Sequence, residues 1–210
     1  MITQMSRANT KKPVSRTRSR SPSAKGREPR FGREAWLGAA RSALIEDGVG
    51  GLEVGKLARK LRATRGSFYW FFESRDELMD CVITDWEVTN TAKFRSLLRD
   101  SGANGEAEFQ ALCDMWVSES GYSPQWDAAM REWARISPRV EAVVRRVDDL
   151  RITIIQRIFN DMGYDEPEAF VRARTTYFHL VGYYTLGVRE SREQRLNLLP
   201  IYVRILTGNS

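Results

Sequence analysis

The chain has 210 residues, with 33 Lys+Arg against 27 Asp+Glu, one His and two Cys. No run of about 18 apolar residues occurs, which argues against a membrane-spanning helix. Cys81 and Cys113 stand far apart, and no CxxC, HExxH, GxSxG or P-loop pattern occurs, so the expectation is a non-enzymatic protein with no metal or cofactor, in a reducing cytoplasm.

The charge is unevenly placed. Residues 1–33 hold ten basic side chains and one acid, which leaves 23 basic and 26 acidic residues over positions 34–210. The high isoelectric point therefore describes an appended polycation and not a basic globule. Residues 1–32 are rich in Ser, Arg, Lys and Pro with almost no large apolar groups, a composition that cannot bury a core and reads as a disordered basic arm. Two readings stay open for it. The arm follows a DNA backbone or enters a minor groove, with Arg30 and Arg33 as the contacts nearest the folded part, or it is a solvated leader without function. It has no apolar segment of the kind a secretory signal carries, so export is not expected.

From Arg33 onward the pattern is helical. Trp36, Ala39, Ala40, Ala43 and Leu44 recur at i, i+3, i+4, i+7 and i+8, an amphipathic helix that the Gly48–Gly51 run ends. Val54, Leu57, Ala58 and Leu61 give a second helix one apolar face and leave Lys56, Arg59 and Lys60 on the other. After the break at Arg62-Ala63, Thr64 is suited to cap a third helix from Arg65. In that helix the i, i+4 spacing turns Phe68 and Phe72 inward and leaves Arg65, Gly66, Ser67, Tyr69 and Trp70 on display. These groups donate to phosphates and base edges or stack on sugars, as a helix in a major groove must. Trp70 and Phe71 have two readings, as contacts to sugar and thymine methyl groups or as packing against the first helix. Ser74 followed by Asp76 and Glu77 starts a fourth helix, on which Leu78, Cys81, Val82 and Trp86 share a face.

Five more helices are predicted at about 106–119, 124–136, 138–161, 166–188 and 192–207, punctuated by Gly121, Pro124, Pro138, Gly163 and Pro167. Pro200 predicts a kink or split in the last one. Met115, Trp116, Trp126, Met130 and Trp133, with Tyr177, are candidates to line an apolar cavity for a small aromatic or apolar effector; a core filled by large side chains explains them equally. Phe170, Ala173, Tyr177, Val181 and Tyr184 on one helix and Leu199, Val203 and Leu206 on the other are candidate dimer faces, unless they pack inside the monomer. His179, the only histidine, reads as structural. The expected fold is all-α with about nine helices. A basic arm occupies 1–32, a three-helix helix-turn-helix unit 33–78, and a larger helical effector-binding and dimerisation domain 79–210.

Lys56-Leu57-Ala58-Arg59-Lys60-Leu61, Gly66-Ser67-Phe68-Tyr69-Trp70-Phe71-Phe72 and Ser74-Arg75-Asp76-Glu77-Leu78 together resemble the second helix, recognition helix and start of helix four in the TetR family of bacterial transcriptional regulators. The resemblance is strongest from Arg33 to Trp86. It implies a homodimeric, ligand-released repressor of a palindromic operator in double-stranded DNA. Arg65 and Ser67 then match base-facing positions, Tyr69 a phosphate-contacting tyrosine with Trp70 beside it, Arg75 a basic residue opening helix four, and Lys56 the place where helix two meets the backbone. The chain departs from the family at Glu53, where a capping Thr or Ser is usual, and at Gly55, where a longer polar side chain is common. Two other readings are compatible with the same residues. An architectural, non-specific DNA binder needs the helix-turn-helix and arm but no effector site, and an RNA or anionic-membrane binder uses the arm alone.

Overall fold

The computed structural model describes residues 31–97 and 104–208, and among these residues it holds nine α-helices and no strand. The helices are α1 (Arg33–Asp47), α2 (Val54–Leu61), α3 (Arg65–Phe68), α4 (Arg75–Leu97), α5 (Gly105–Ser118), α6 (Pro124–Ala134), α7 (Pro138–Asp161), α8 (Glu166–Thr185) and α9 (Arg192–Thr207). A 3-10 turn (Gly48–Leu52) joins α1 to α2. No helix is long and apolar enough to cross a membrane among the described residues. The arm over residues 1–30, and Arg30 with it, lies outside the described residues.

Local chemistry sets most helix starts. The hydroxyls of Thr64, Ser123, Ser137 and Ser191 and the side-chain oxygens of Asn104 and Asp165 each accept a backbone N–H from three residues on, satisfying a donor that the helix itself leaves unpaired. Ser74 does the same for Glu77, whose carboxylate in turn accepts the Glu73 N–H at 2.6 Å. Pro124 and Pro138 occupy the first turns of α6 and α7, where a missing N–H costs nothing. α2 has no such cap, since the Glu53 side chain makes no capping bond.

Two expectations differ from what is seen. The third helix ends at Phe68, and the chain continues to Phe72 in tight turns held by Phe71 N–H and Phe72 N–H to the Phe68 carbonyl at 3.0 and 3.2 Å. Phe68 and Phe72 stack at 5.1 Å, so both rings still reach the core. The last helix is not split: it runs from Arg192 to Thr207 with Pro200 inside it, where the proline withholds the one N–H that would meet the Leu196 carbonyl.

The apolar interior falls into two clusters. The first joins Trp36, Leu44, Leu57, Phe68 and Phe72 of the N-terminal helices to Trp86 of α4, to Trp126, Met130 and Trp133 of α6, and to the start of α7. The second lies under α5, α8 and the second half of α7, around Phe109, Ile155, Phe159, Ala173 and Tyr177. α4 crosses position 78/79 without a break, and the first cluster draws residues from both sides of it. The N-terminal unit is thus packed directly on α6, with the Arg41 guanidinium of α1 lying 4.0 Å from the Trp126 ring.

Between the clusters sits a buried ionic network. Arg151 is fully buried and donates to both Asp127 carboxylate oxygens, at 2.7 and 3.1 Å, and to the Asn90 carbonyl at 3.1 Å. Asp127 also accepts from Trp86 Nε1 and Asn90 Nδ2, each at 2.9 Å, and from the Tyr122 hydroxyl at 3.2 Å. Arg131 holds Asp148 with two bonds at 2.9 and 2.7 Å, and the Tyr177 hydroxyl donates to Asp148 at 2.7 Å while accepting from both arginines. Burial pushes the Asp127 carboxyl up, but the charge and hydrogen bonds of Arg151 outweigh it and hold the group below the usual carboxylate range. The network ties α4, α6, α7 and α8 into one body.

Candidate nucleic-acid interface

The face built by α2, α3 and the turn to Phe72 presents five cations, Lys56, Arg59, Lys60, Arg62 and Arg65, against one acid, Glu53. Tyr69 and Trp70 stand beside them with 60 % and 63 % of their surfaces in solvent, whereas Phe68 and Phe72 from the same turn are buried. Folding alone gives no reason to leave two large aromatic rings exposed side by side on a cationic surface, because each forfeits roughly 1.5–3 kcal/mol of burial. A sugar-phosphate backbone supplies a partner for both the rings and the charges. Trp70 is therefore displayed, and the half-buried Phe71 packs against the first cluster.

The sequence-predicted contacts divide into two groups. Thr64, Arg65, Gly66, Tyr69 and Trp70 are exposed together, with half-buried Ser67 among them. Arg65 makes no ion pair or hydrogen bond among the described residues, and its guanidinium lies over Gly55, where a Cβ would come within 2.6 Å of Nη2. Gly55 thus leaves room for Arg65 to move along the face. The Ser67 hydroxyl donates to the Thr64 carbonyl at 2.7 Å, so it meets a ligand chiefly as an acceptor.

The second group is held by partners within the chain, although Lys56 stays exposed. Arg75 donates to the Leu52 and Val49 carbonyls at 3.1 and 3.3 Å and clamps the 3-10 turn. Lys56 donates to the Gly50 carbonyl at 2.9 Å. Arg33 binds Glu77 at 3.1 Å and the Cys81 sulfur at 3.0 Å while lying 4.5 Å over the Phe72 ring. Arg59 and Arg62, left out of the predicted contact set, are exposed, and their side chains make no ion pair or hydrogen bond among the described residues. Arg62 owes its display to a left-handed backbone (φ 51°) that ends α2. The Arg-Ala-Thr break signals that turn, but its handedness is invisible in the pattern.

The proposed effector and dimer sets require correction. Met115 and Trp116 face the second cluster, while Trp126, Met130 and Trp133 face the first, because the chain reverses at Glu119–Gly121 and aims α5 and α6 at different interiors. Tyr177 belongs to the ionic network. The six side chains therefore do not line one cavity. Ala173 and Tyr177 are buried within the chain, and Val181, Tyr184, Leu199, Val203 and Leu206 pack against the second cluster, so the regular apolar stripe on each helix is its inner face. Phe170 alone of that set is exposed. Val171, Phe178, Leu186 and Val188 on and after α8, and Leu196, Leu198, Ile201 and Ile205 on α9, are exposed, with the Arg174 guanidinium 5.1 Å from the Phe178 ring. Both cysteines are free, and burial pushes the Cys113 thiol up to about 12, which keeps it protonated.

A helix-turn-helix unit with a cationic, aromatic outer face, fused to a helical body, defines a helix-turn-helix DNA-binding regulator. Residues 37–82 match the model of the bacterial regulatory proteins of the tetR family, so this unit resembles theirs. No curated protein matches the sequence. Among solved structures, the chain is similar to E. coli NemR in its reduced form, with a TM-score of 0.66 and 16% identity, over 83% of this chain and 96% of that one. It is also similar to a TetR transcriptional regulator from Legionella pneumophila, with a TM-score of 0.62 and 15% identity over 85% and 94% of the two chains. The fatty acid degradation regulator FadR from Bacillus halodurans gives 0.61 and 12%, over 85% and 97%. These likenesses establish a shared fold over most of the chain.

Proposed function

We propose that the protein is a sequence-specific transcriptional regulator of the cytoplasm, a ligand-responsive repressor that holds a palindromic operator as a homodimer and acts by binding, without catalysis. The observation that carries this reading is the joint display of Arg65, Tyr69 and Trp70 beside unpaired Arg59 and Arg62 on the helix-turn-helix face. Arg65 reads a guanine edge, the aromatic pair meets sugar and phosphate, and the remaining cations neutralise the backbone. The exposed apolar residues of α8 and α9 support a second copy as partner, because a soluble monomer has little reason to leave Leu186 81 % and Ile205 67 % in solvent on neighbouring elements. Two copies place their recognition turns about one helical repeat, roughly 34–36 Å, apart.

Response to an effector follows from the packing. The N-terminal unit sits on α6, and the ionic network fixes α6 to α7 and α8, so a ligand that shifts α8 tilts the recognition turn. A coupling of about 1–3 kcal/mol changes operator affinity roughly 5- to 150-fold. Genomic fragments selected by the protein test the reading through footprinting and stoichiometry. Protection of two inverted half-sites one turn apart, at two chains per duplex, is expected; protection without a repeated sequence among the fragments would instead indicate an architectural binder.

A further inference from the structure

Arg65 opens α3, where the Thr64 hydroxyl accepts the Ser67 N–H at 3.2 Å and so holds the backbone of that turn. The cap does not hold the side chain. The one acid of the face, Glu53, lies 3.5 Å from Lys56 Nζ, and the Arg65 guanidinium rests instead against the first turn of α2. A Cβ on Gly55 would lie 2.6, 3.1 and 3.2 Å from Arg65 Nη2, Nε and Cζ, and these are the three atoms nearest to it. The fold itself has no need of glycine there. Gly55 is not among the glycines with a left-handed backbone, and within a helix glycine is less stable than alanine. Gly51 and Gly105 differ, since a Cβ on either would run into a backbone carbonyl, that of Ala43 or of Ile158, at 2.6 Å. At position 55 the closest contacts all belong to a side chain on the recognition turn.

The distances decide what that room is worth. Ordinary van der Waals contact begins at 3.4 Å, so a methyl group at 55 drives Nη2 away by at least about 0.8 Å. A binding constellation has to be held within about 0.5 Å of its productive geometry. We propose that Gly55 is a specificity-determining residue that acts by positioning Arg65: the bare helix surface at 55 is the seat from which the guanidinium meets both acceptors of a guanine edge, and a side chain there displaces it. The inference rests on the sequence-specific reading above, and adds to it the residue that lets Arg65 distinguish its base pair. Arg59 and Arg62 do not use this seat, so the phosphate contacts they make are independent of it and only base discrimination depends on Gly55.

The test selects duplexes from a random-sequence pool with the full-length chain, then measures the affinity of that chain, of Arg65→Ala, of Gly55→Ala and of the double variant for single-base-pair variants of the selected site. Arg65→Ala should erase the preference for guanine at one base pair of each half-site, a discrimination of about 5- to 150-fold for a bidentate pair. Gly55→Ala should cut the preference at that same base pair by at least about fivefold, the lower end of that range. Preferences elsewhere in the site and the salt dependence should stay as they are, and the unfolding midpoint should not fall. In the double variant the space over residue 55 is free, so it should bind every duplex as Arg65→Ala does. An undiminished guanine preference in Gly55→Ala, a loss spread evenly over all positions, or a double variant that binds or unfolds worse than Arg65→Ala overturns the proposal and leaves the regulator reading standing. A pool from which the unaltered chain enriches no sequence overturns both.

Discussion

Replacing Asp127 by alanine strips the fully buried Arg151 guanidinium of the one carboxylate it meets among the described residues, and leaves the Trp86 indole and Tyr122 hydroxyl without their acceptor. An uncompensated buried charge costs about 3–5 kcal/mol. A domain of this kind is stable by roughly 5–15 kcal/mol in total, so the single change removes about a fifth of it or more. For a chain of this size each kcal/mol is about 2–4 °C, which places the fall in midpoint at roughly 6–20 °C. Urea unfolding followed by circular dichroism gives the difference directly, and the double variant Asp127→Ala with Arg151→Met isolates its cause. Removing the second charge as well should recover at least about 2 kcal/mol, because the penalty belongs to the unpaired ion and not to the missing volume. A loss under about 1 kcal/mol for Asp127→Ala, or a double variant less stable than the single, would refute the assignment of the network as the joint between the two clusters.

Arg65→Ala should weaken operator binding by about 1–3 kcal/mol with folding unchanged, and an equal loss on random DNA would show that Arg65 meets only phosphate. Removal of residues 1–30 should reduce the slope of log affinity against log salt by about 0.9 for each phosphate that the arm neutralises, with sequence preference retained; an unaltered slope would show that the arm never reaches DNA. At Gly51 a Cβ would lie 2.6 Å from the Ala43 carbonyl oxygen, so Gly51→Ala should cost about 1–3 kcal/mol by forcing the 3-10 turn off α1, as thermal unfolding will register. The depressed Asp127 carboxyl contributes stability that is fully present above its unfolded pKa of about 4 and is lost as pH falls through the lower folded value. Unfolding midpoints measured from pH 7 downward should therefore hold until about pH 4 and then drop, and Asp127→Ala should flatten that drop.

Helix positions were legible because they depend on neighbours in the chain. Pro138 and Gly163 punctuate the chain in any context, and α7 runs from Pro138 to Asp161 between them. The helix-turn-helix face was legible for the same reason, since Thr64, Phe68 and Phe72 fix which way Arg65, Tyr69 and Trp70 point. Partner choice was not. The stripe from Ala173 to Tyr184 is apolar whether it meets its own chain or another, and only the packing of α7 beneath it decides. Trp116 and Trp126 are ten positions apart and read as one aromatic patch, yet the reversal at Gly121 sends them to opposite cores. Arg151 and Asp127 meet across 24 positions, a pairing that no local spacing encodes.

Sequence-specific recognition through the helix-turn-helix face is the central claim, and one ratio tests it most directly. The affinity of the full chain for a duplex carrying its selected site should be measured at near-physiological salt beside that for a scrambled duplex of equal length and composition. The account predicts a ratio of roughly 10³ or more, falling by about one to two orders of magnitude in Arg65→Ala. A ratio near one, equally sensitive to salt on both duplexes, would contradict it and leave the basic arm as the only contact with DNA.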